Sequence, residues 1–342
     1  MTITQSRRRF VSNAALAGAA GFGAFSAVAG SGGKTSLAAE PPPEISTIRL
    51  EKVPIACLAP QYMAEEMLHA EGFSDVRYLE SDQLSSTQKV ALDEVDFTMD
   101  FAPAVIAELD SGVPVTMVAG VHVGCFELFA QDHIRSISDL KGRSVGVPPG
   151  FDTPRHLVSI MVSYVGLHPN EDIRWVSGPE DKAIDLFIDR KIDAFLAGPP
   201  LAQELRARGI VHSLVNSATD RPWSQYFCCM LMSRTDFVRK YPVATKRVLR
   251  AILKAADLCA AEPDRVAQSL VDRGFVGRFD YALQALNELP YKAWREYDPE
   301  DTVRWYALRL QEAGFTKAIP RDVIAEHTDW RFLNELKCEL KV

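Results

Sequence analysis

Near its middle the chain carries Ile137-Ser138-Asp139-Leu140-Lys141-Gly142-Arg143-Ser144-Val145-Gly146-Val147, a short helical turn that leads directly into a strand. Gly142 is suited to end the turn, because glycine adopts the left-handed backbone common at helix C-termini. The strand that we predict at 144–147 is followed by a helix that we predict at 154–165. A strand that leads into a helix is half of a βαβ unit, so this segment indicates a parallel sheet covered by helices.

The same alternation of strand and helix extends to both sides of this segment. Short apolar runs predict strands at 47–53, 76–79, 97–99, 115–119, 144–147, 173–176, 194–196 and 211–215. Helical spacing predicts helices at 62–68, 87–94, 104–109, 154–165, 182–188 and 201–208. From residue 235 only helices are predicted, at 238–260, 264–273, 281–289 and 302–313. We therefore predict an α/β fold with a mostly helical C-terminal third.

Two extended segments are suited to pass between two sheets. Residues 120–130 form a long extended stretch with glycines at which a chain can change direction, and residues 224–232 are the candidate return. On this basis residues 46–125 and 230–342 form a first, discontinuous lobe, and residues 126–229 form an inserted second lobe. Two lobes joined by two crossings can hinge, and ligand sites commonly lie between such lobes.

The composition limits the classes of function. The 342 residues are 47% hydrophobic and 24% charged, with a formal net charge of −7, as in a globular protein of about two domains. No Lys/Arg block beyond residues 7–9 could follow a phosphate backbone, so nucleic-acid binding is not expected.

The cysteines and histidines do not predict a metal site. The six cysteines lack a C-x-x-C pair, and the seven histidines lack an H-x-x-x-H spacing. Cys228 and Cys229 are neighbours in a predicted strand, where successive side chains point to opposite faces. This arrangement disfavours both a shared metal and a disulfide, so we expect no metal and buried thiols.

The N-terminus resembles a Tat export signal. Arg7 and Arg8 form a twin arginine, and an uncharged Ala/Gly-rich run follows at 14–29. Cleavage after Ala29 would remove three arginines and no acid, which changes the formal charge from −7 to −10; a site at 36–38 is the second choice. An uncleaved anchor is the alternative, although a spanning helix needs about 20 strongly apolar residues. We predict a signal at 1–29, a linker at 30–45 and a free periplasmic protein.

Four segments in order carry a family resemblance: 58–66, 95–101, 137–147 and 189–194. Together they resemble ABC-importer solute-binding proteins of the two-lobed type II periplasmic-binding fold. The most similar branch is the one for sulfonates, taurine, nitrate and thiamine-precursor pyrimidines. The resemblance implies two lobes that close on a small polar molecule and present it to an ABC permease in the inner membrane. We expect a monomer without a cofactor.

Candidate ligand-binding residues lie at strand ends, helix starts and the two crossings. In open α/β sheets ligands bind at the carboxyl ends of strands, and a helix N-terminus can hold an anion. The candidates are Gln61, Tyr62, Asp100, His122, Asp152, Thr153, Arg155, Trp223 and Tyr226. Some have a structural alternative: Asp100, Asp152 and Thr153 could cap helices, Arg155 could lie in solvent, and His122 could pack inside the crossing.

Two ligand classes fit these candidates, of which we predict the first and keep the second as the alternative. The first is a small organic anion, sulfonate or carboxylate, held by the N–H groups of two helix starts and by the planar guanidinium of Arg155. The second is a pyrimidine or other nitrogen heterocycle. It would stack on Tyr62, Trp223 or Tyr226, and its amino group would donate a hydrogen bond to an aspartate.

We do not expect an enzyme. The thiamine-pyrimidine synthase of the same family carries a clustered-cysteine motif that residues 124–127 and 227–230 do not reproduce, and a G-x-S-x-G motif is absent. A ligand-reporting partner of a membrane sensor would have the same sequence features, and that alternative stays open.

Overall fold

The computed structural model describes residues 40–80, 84–147, 153–178, 180–209 and 212–340. Within these ranges the strands are β1 (Thr47–Glu51), β2 (Asp75–Leu79), β3 (Phe97–Phe101), β4 (Val115–Val123), β5 (Glu127–Ala130), β6 (Arg143–Val147), β7 (Ile173–Ser177), β8 (Ala194–Ala197), β9 (His212–Asn216) and β10 (Phe227–Arg234). They form two five-stranded sheets, with the orders β2-β1-β3-β10-β4 and β7-β6-β8-β5-β9.

Helices surround the two sheets. The described helices are α1 (Ala59–Met63), α2 (Glu65–Ala70), α3 (Ser86–Ala91), α4 (Ala102–Glu108), α5 (Thr153–Tyr164), α6 (Glu180–Ile188), α7 (Leu201–Arg208), α8 (Thr235–Lys240), α9 (Pro242–Ala261), α10 (Pro263–Asp272), α11 (Phe279–Glu288), α12 (Pro299–Glu312), α13 (Pro320–His327) and α14 (Arg331–Glu339). Short 3-10 turns occupy Ala56–Leu58, Leu109–Ser111, Ile137–Leu140, Trp223–Gln225 and Tyr291–Arg295.

The central segment folds as predicted. Ile137–Leu140 forms the helical turn, Gly142 has a φ of 72°, and Arg143–Val147 forms β6. The α/β fold with two sheets and a mostly helical C-terminal third is confirmed. The first sheet takes its strands from residues 47–123 and 227–234, and the second from residues 127–216. The predicted lobe boundaries stay a prediction.

Two strands run against the predicted parallel direction. β5 pairs antiparallel with both β8 and β9, and β10 pairs antiparallel with both β3 and β4. Each of them is the first strand after the chain has crossed from the other sheet. It therefore enters its sheet at the end where the neighbouring strands leave, and the sheets are mixed.

Two predicted helices are each divided in the structure. The helix predicted at 62–68 divides at Ala64 into α1 and α2, and the helix predicted at 238–260 divides at Tyr241 into α8 and α9. Pro242 explains the second division, because proline lacks the N–H that would continue the helix and is well placed at the first helical position. Within the described ranges, no helix combines the length and apolarity needed to cross a bilayer.

Candidate functional site

A small cavity lies where the carboxyl end of β3 faces the start of α5. It encloses about 50 Å³ and is bordered by residues in and around the first sheet, of the first crossing and of the start of α5. The wall consists of Val53, Ile55, Cys57, Leu58, Ser86, Met99, Asp100, Phe101, Phe126, Thr153 and Cys229. The carboxyl ends of strands are the usual ligand-binding edge of an α/β sheet. Of the sequence-predicted site residues, Asp100 and Thr153 lie in this wall.

Asp100 is the carboxylic acid in the described cavity wall. Burial, and next the nearby carboxylate of Glu51, raise the pKa of Asp100 well above its ordinary value. Its carboxylate accepts a 2.7 Å hydrogen bond from the N–H of Phe101, the residue that precedes α4. A carboxyl group held in its neutral form can both donate and accept a hydrogen bond.

Gln61 and Tyr62 hold the first sheet together and are fully buried. The Gln61 amide donates to the carbonyl of Glu51 at 2.6 Å and accepts the N–H of Met99 at 2.8 Å, which joins β1 to β3. The Tyr62 hydroxyl bonds both backbone groups of Val53, and its ring stacks on Phe275 at 3.9 Å. Neither side chain belongs to the described cavity wall.

The predicted aromatic and arginine contacts lie away from the cavity. The Arg155 guanidinium is 5.6 Å from the Trp175 ring, on the exposed side of α5. Tyr226 stacks on Trp305 of α12 at 4.3 Å, and Trp223 packs edge-on against the same ring. The aromatic side chains that do line the cavity are Phe101 and Phe126. The sequence reasoning missed these two, although Phe101 lies two residues after the strand predicted at 97–99 and Phe126 lies two residues after Gly124. Asp152 lies outside the described residues.

His122 is fully buried in β4 and lies in a cluster with cysteines. The ligand atoms of His122, Cys125, Cys228 and Cys229 all lie within 4.8 Å of one another. The expectation that Cys228 and Cys229 point apart is therefore wrong. The register of β10 against β4 shifts here, because Phe227 pairs with Val123 and Cys229 with His122, which leaves Cys228 as an extra residue in β10. Such a β-bulge changes the direction of the side chains on either side of it.

A larger hollow of about 740 Å³ lies at the opposite, amino end of the first sheet. Four of its charged side chains pair with one another: Arg49 bonds Asp93 and Asp96 at 2.6 Å, and Arg234 bonds Asp93 at 2.6 Å. These pairs leave little free hydrogen-bonding capacity for a ligand. The smaller cavity lies at the carboxyl ends, and its acid, Asp100, has no ion-pair partner among the described residues, so it is the better candidate site.

Comparison with known sequences identifies relatives over part of the chain. Residues 60–266 match the family described as NMT1/THI5 like. The chain is 26% identical over 140 residues to proteins of Brucella abortus and Brucella suis that are named as binding proteins, which covers 40% of this chain and 43% of each relative. The match thus spans less than half the length of these curated relatives.

Solved structures share the fold over most of the chain. The periplasmic nitrate-binding protein NrtA from Synechocystis PCC 6803 has a TM-score of 0.73 at 16% identity, over 88% of this chain and 91% of that protein. The alkanesulfonate-binding protein SsuA from Xanthomonas axonopodis pv. citri, bound to MOPS, has a TM-score of 0.62 at 13% identity, over 78% and 94%. At such identity the likeness establishes the two-lobed periplasmic-binding fold alone. Because the family match covers more than half of the sequence, the chain belongs to the NMT1/THI5 like family.

Proposed function

We propose that this protein is the periplasmic solute-binding component of an ABC importer, and that it delivers a small molecule to an inner-membrane permease. The observation that carries the proposal is the cavity itself, which is bordered by Asp100 at the end of β3, by Phe126 in the crossing and by Thr153 at the start of α5. A site between two lobes joined by crossings suits reversible closure on a ligand. The family membership and the nitrate- and sulfonate-binding proteins of the same fold support this function rather than an enzyme.

The ligand that fits these walls best is a small nitrogen heterocycle. Among the described wall residues there is no lysine or arginine, so an anion would lack a cationic side chain. Phe101 and Phe126 offer ring faces and edges for a flat molecule, and Asp100 offers a hydrogen-bond partner for an amino or ring N–H group. A small sulfonate or carboxylate remains the alternative, because the N-terminus of the twelve-residue α5 presents N–H groups beside Thr153.

The size of the cavity argues for movement of the lobes. A volume of about 50 Å³ has room for only a few water molecules. Access for a heterocycle therefore requires the walls formed by β3 and α5 to separate and then to close. The two crossings, between β4 and β5 and between β9 and β10, are the natural hinge.

A thermal-shift screen of residues 30–342 against pyrimidines, other heterocycles, sulfonates, carboxylates and nitrate tests this function. A specific ligand at 100 times its dissociation constant adds about 2.7 kcal/mol of stability. Asp100→Ala should weaken binding of a heterocycle by about 1.5–3 kcal/mol, or roughly tenfold to more than a hundredfold. Arg155→Ala is the matched control and should bind as the wild type does, because its guanidinium faces Trp175.

The same ligand should reduce the radius of gyration in small-angle scattering. If a sulfonate binds instead and Arg155→Ala weakens it, the anion is the ligand and the heterocycle is wrong. If no compound class stabilises the protein, or if a bound compound is converted to product, solute binding is not its function.

We propose that export follows the twin-arginine route, which the sequence Arg7-Arg8 supports.

A further inference from the structure

Four side chains from two separate segments meet inside the protein. His122 lies near the end of β4, Cys125 lies in the crossing between β4 and β5, and Cys228 and Cys229 come from the start of β10. Their ligand atoms lie within 4.8 Å of one another and all four residues are buried. The sulfur atoms of Cys125 and Cys228 are 2.9 Å apart, and both cysteines are free thiols.

The imidazole of His122 has one nitrogen engaged and one available. Its Nδ1 lies 3.2 Å from the carbonyl oxygen of Val123, which fixes a proton on Nδ1. When the ring is neutral, Nε2 carries the lone pair, and within the described residues this buried atom has no hydrogen-bond partner. Buried polar atoms without partners are rare in folded proteins. A histidine whose other ring nitrogen donates to a carbonyl is the usual form of a metal-ligating histidine.

The geometry points to a binding site for one thiophilic d10 cation, Zn²⁺ or Cu⁺, formed by His122 Nε2 and the Sγ atoms of Cys125, Cys228 and Cys229. Three thiolates and one imidazole are a common ligand set for tetrahedral zinc, and thiolates also favour Cu⁺. Ca²⁺ and Mg²⁺ prefer oxygen ligands, so this set of atoms does not suit them. Binding displaces the thiol protons to solvent, and neither the cation nor the sulfur changes its oxidation state.

The candidate cavity gives the cation a way in. Cys229 belongs both to the cluster and to the cavity wall, and Cys57 lines the same wall. The Cys57 thiol interacts with Cys125, Cys229 and His122, so it is a fourth sulfur on the path from the cavity to the cluster. A cation in this site would connect the β4–β5 crossing to β10. It would thereby stabilise the two segments that pass between the sheets.

Metal binding to residues 30–342, reduced and kept under anaerobic conditions, tests the site. The protein is dialysed against Zn²⁺ alone or against Cu⁺ alone, and the bound metal is measured by elemental mass spectrometry. Co²⁺ replaces Zn²⁺ as a spectroscopic probe, because thiolate ligation adds a sulfur-to-cobalt charge-transfer band and tetrahedral d–d bands. We expect one ion per chain, with thiolate bands for Co²⁺ and a higher melting temperature for the loaded protein.

Matched variants locate the ligands. Loss of a residue that only hydrogen-bonds to a metal ligand weakens metal binding by about 10–100-fold. Cys228→Ser and His122→Ala should each weaken metal binding by more than this. Cys259→Ser is the control, because Cys259 is equally buried but lies on α9, outside the cluster. Circular dichroism of each variant without metal reports whether it folds. The metal-to-protein ratio of the wild-type protein tests the site even if a variant does not fold.

Three results would overturn the site. The first is a reduced wild-type protein that binds neither Zn²⁺ nor Cu⁺. The second is Co²⁺ binding without a thiolate charge-transfer band, and the third is equal loss of binding in Cys259→Ser and Cys228→Ser. If the air-exposed protein forms a Cys125–Cys228 disulfide and the first result also holds, the cluster undergoes thiol oxidation instead of binding a metal. None of these results bears on the small-molecule screen, so the two proposals fail separately.

Discussion

Lys89 and Glu51 form an ion pair in the interior of the first sheet. Lys89 Nζ lies 2.8 Å from Glu51 Oε1, and the two side chains are 7% and 1% exposed. Thr98 donates to the second carboxylate oxygen at 2.7 Å. Every oxygen of this buried carboxylate thus has a partner, as burial of a charge requires.

Lys89→Met should destabilise the protein by about 3–5 kcal/mol, because it leaves the Glu51 carboxylate buried without a counter-charge. Urea unfolding measures the change in the free energy of unfolding. Arg304→Met is the control, since Arg304 and its partner Glu300 are 53% and 38% exposed and such pairs contribute about 0–1 kcal/mol. A loss below about 1 kcal/mol for Lys89→Met would show that Glu51 is not held as a buried ion.

The first crossing between the sheets depends on the backbone of one glycine. Gly124 joins β4 to the residues before β5 with a φ of 37°, and a Cβ built there would lie 2.2 Å from the carbonyl oxygen of Ser217. Phe126 then exchanges hydrogen bonds with the Ser217 hydroxyl at 2.8 and 2.9 Å. The crossing therefore packs against the turn after β9 backbone to backbone, which leaves no space for a side chain.

Gly124→Ala should destabilise the protein by more than about 2 kcal/mol, since a left-handed backbone costs a residue with Cβ roughly 1–3 kcal/mol and the new methyl overlaps backbone atoms. Gly277→Ala is the matched control, because no atom lies within 4 Å of its added Cβ; it should stay within about 0.5 kcal/mol of wild type. Thermal and urea unfolding of both variants measure the difference. Equal stability of the two would mean that the crossing relaxes without cost.

Export concerns the whole precursor rather than any folded element. The twin arginine lies in residues 1–39, which are outside the described residues. Changing Arg7 and Arg8 together to lysine keeps the charge but removes the guanidinium groups, which a receptor reads as an address. We expect the double variant to accumulate as uncleaved precursor in the cytoplasm.

Immunoblots of periplasmic and cytoplasmic fractions measure this outcome. Arg9→Lys is the control, because Arg9 is outside the predicted pair and its replacement should leave the periplasmic yield unchanged. An unchanged yield of the double variant would rule out the twin-arginine route and favour another export signal.

Features that depend on neighbours in sequence were predictable. The strand after Gly142, the start of the long helix near Pro154 and the helical C-terminal third all depend on periodicity and turn chemistry within about ten residues. The same local signals indicated the two sheets and the segments that cross between them. Asp100 and Thr153, which line the cavity, lie at a strand end and a helix start that can be located in the sequence.

Features that depend on distant partners were decided by the tertiary structure. Gln61 bonds the backbone of β1 and β3, and Tyr62 bonds the backbone of Val53. Arg155 faces Trp175. Packing sets the direction of each of these side chains. Cys125 and Cys228 are 103 residues apart, and they meet only because β10 returns beside β4 with an extra residue in its register. Sequence periodicity assumes an uninterrupted ladder, so it predicts opposite faces for Cys228 and Cys229, whereas the bulge directs both toward His122.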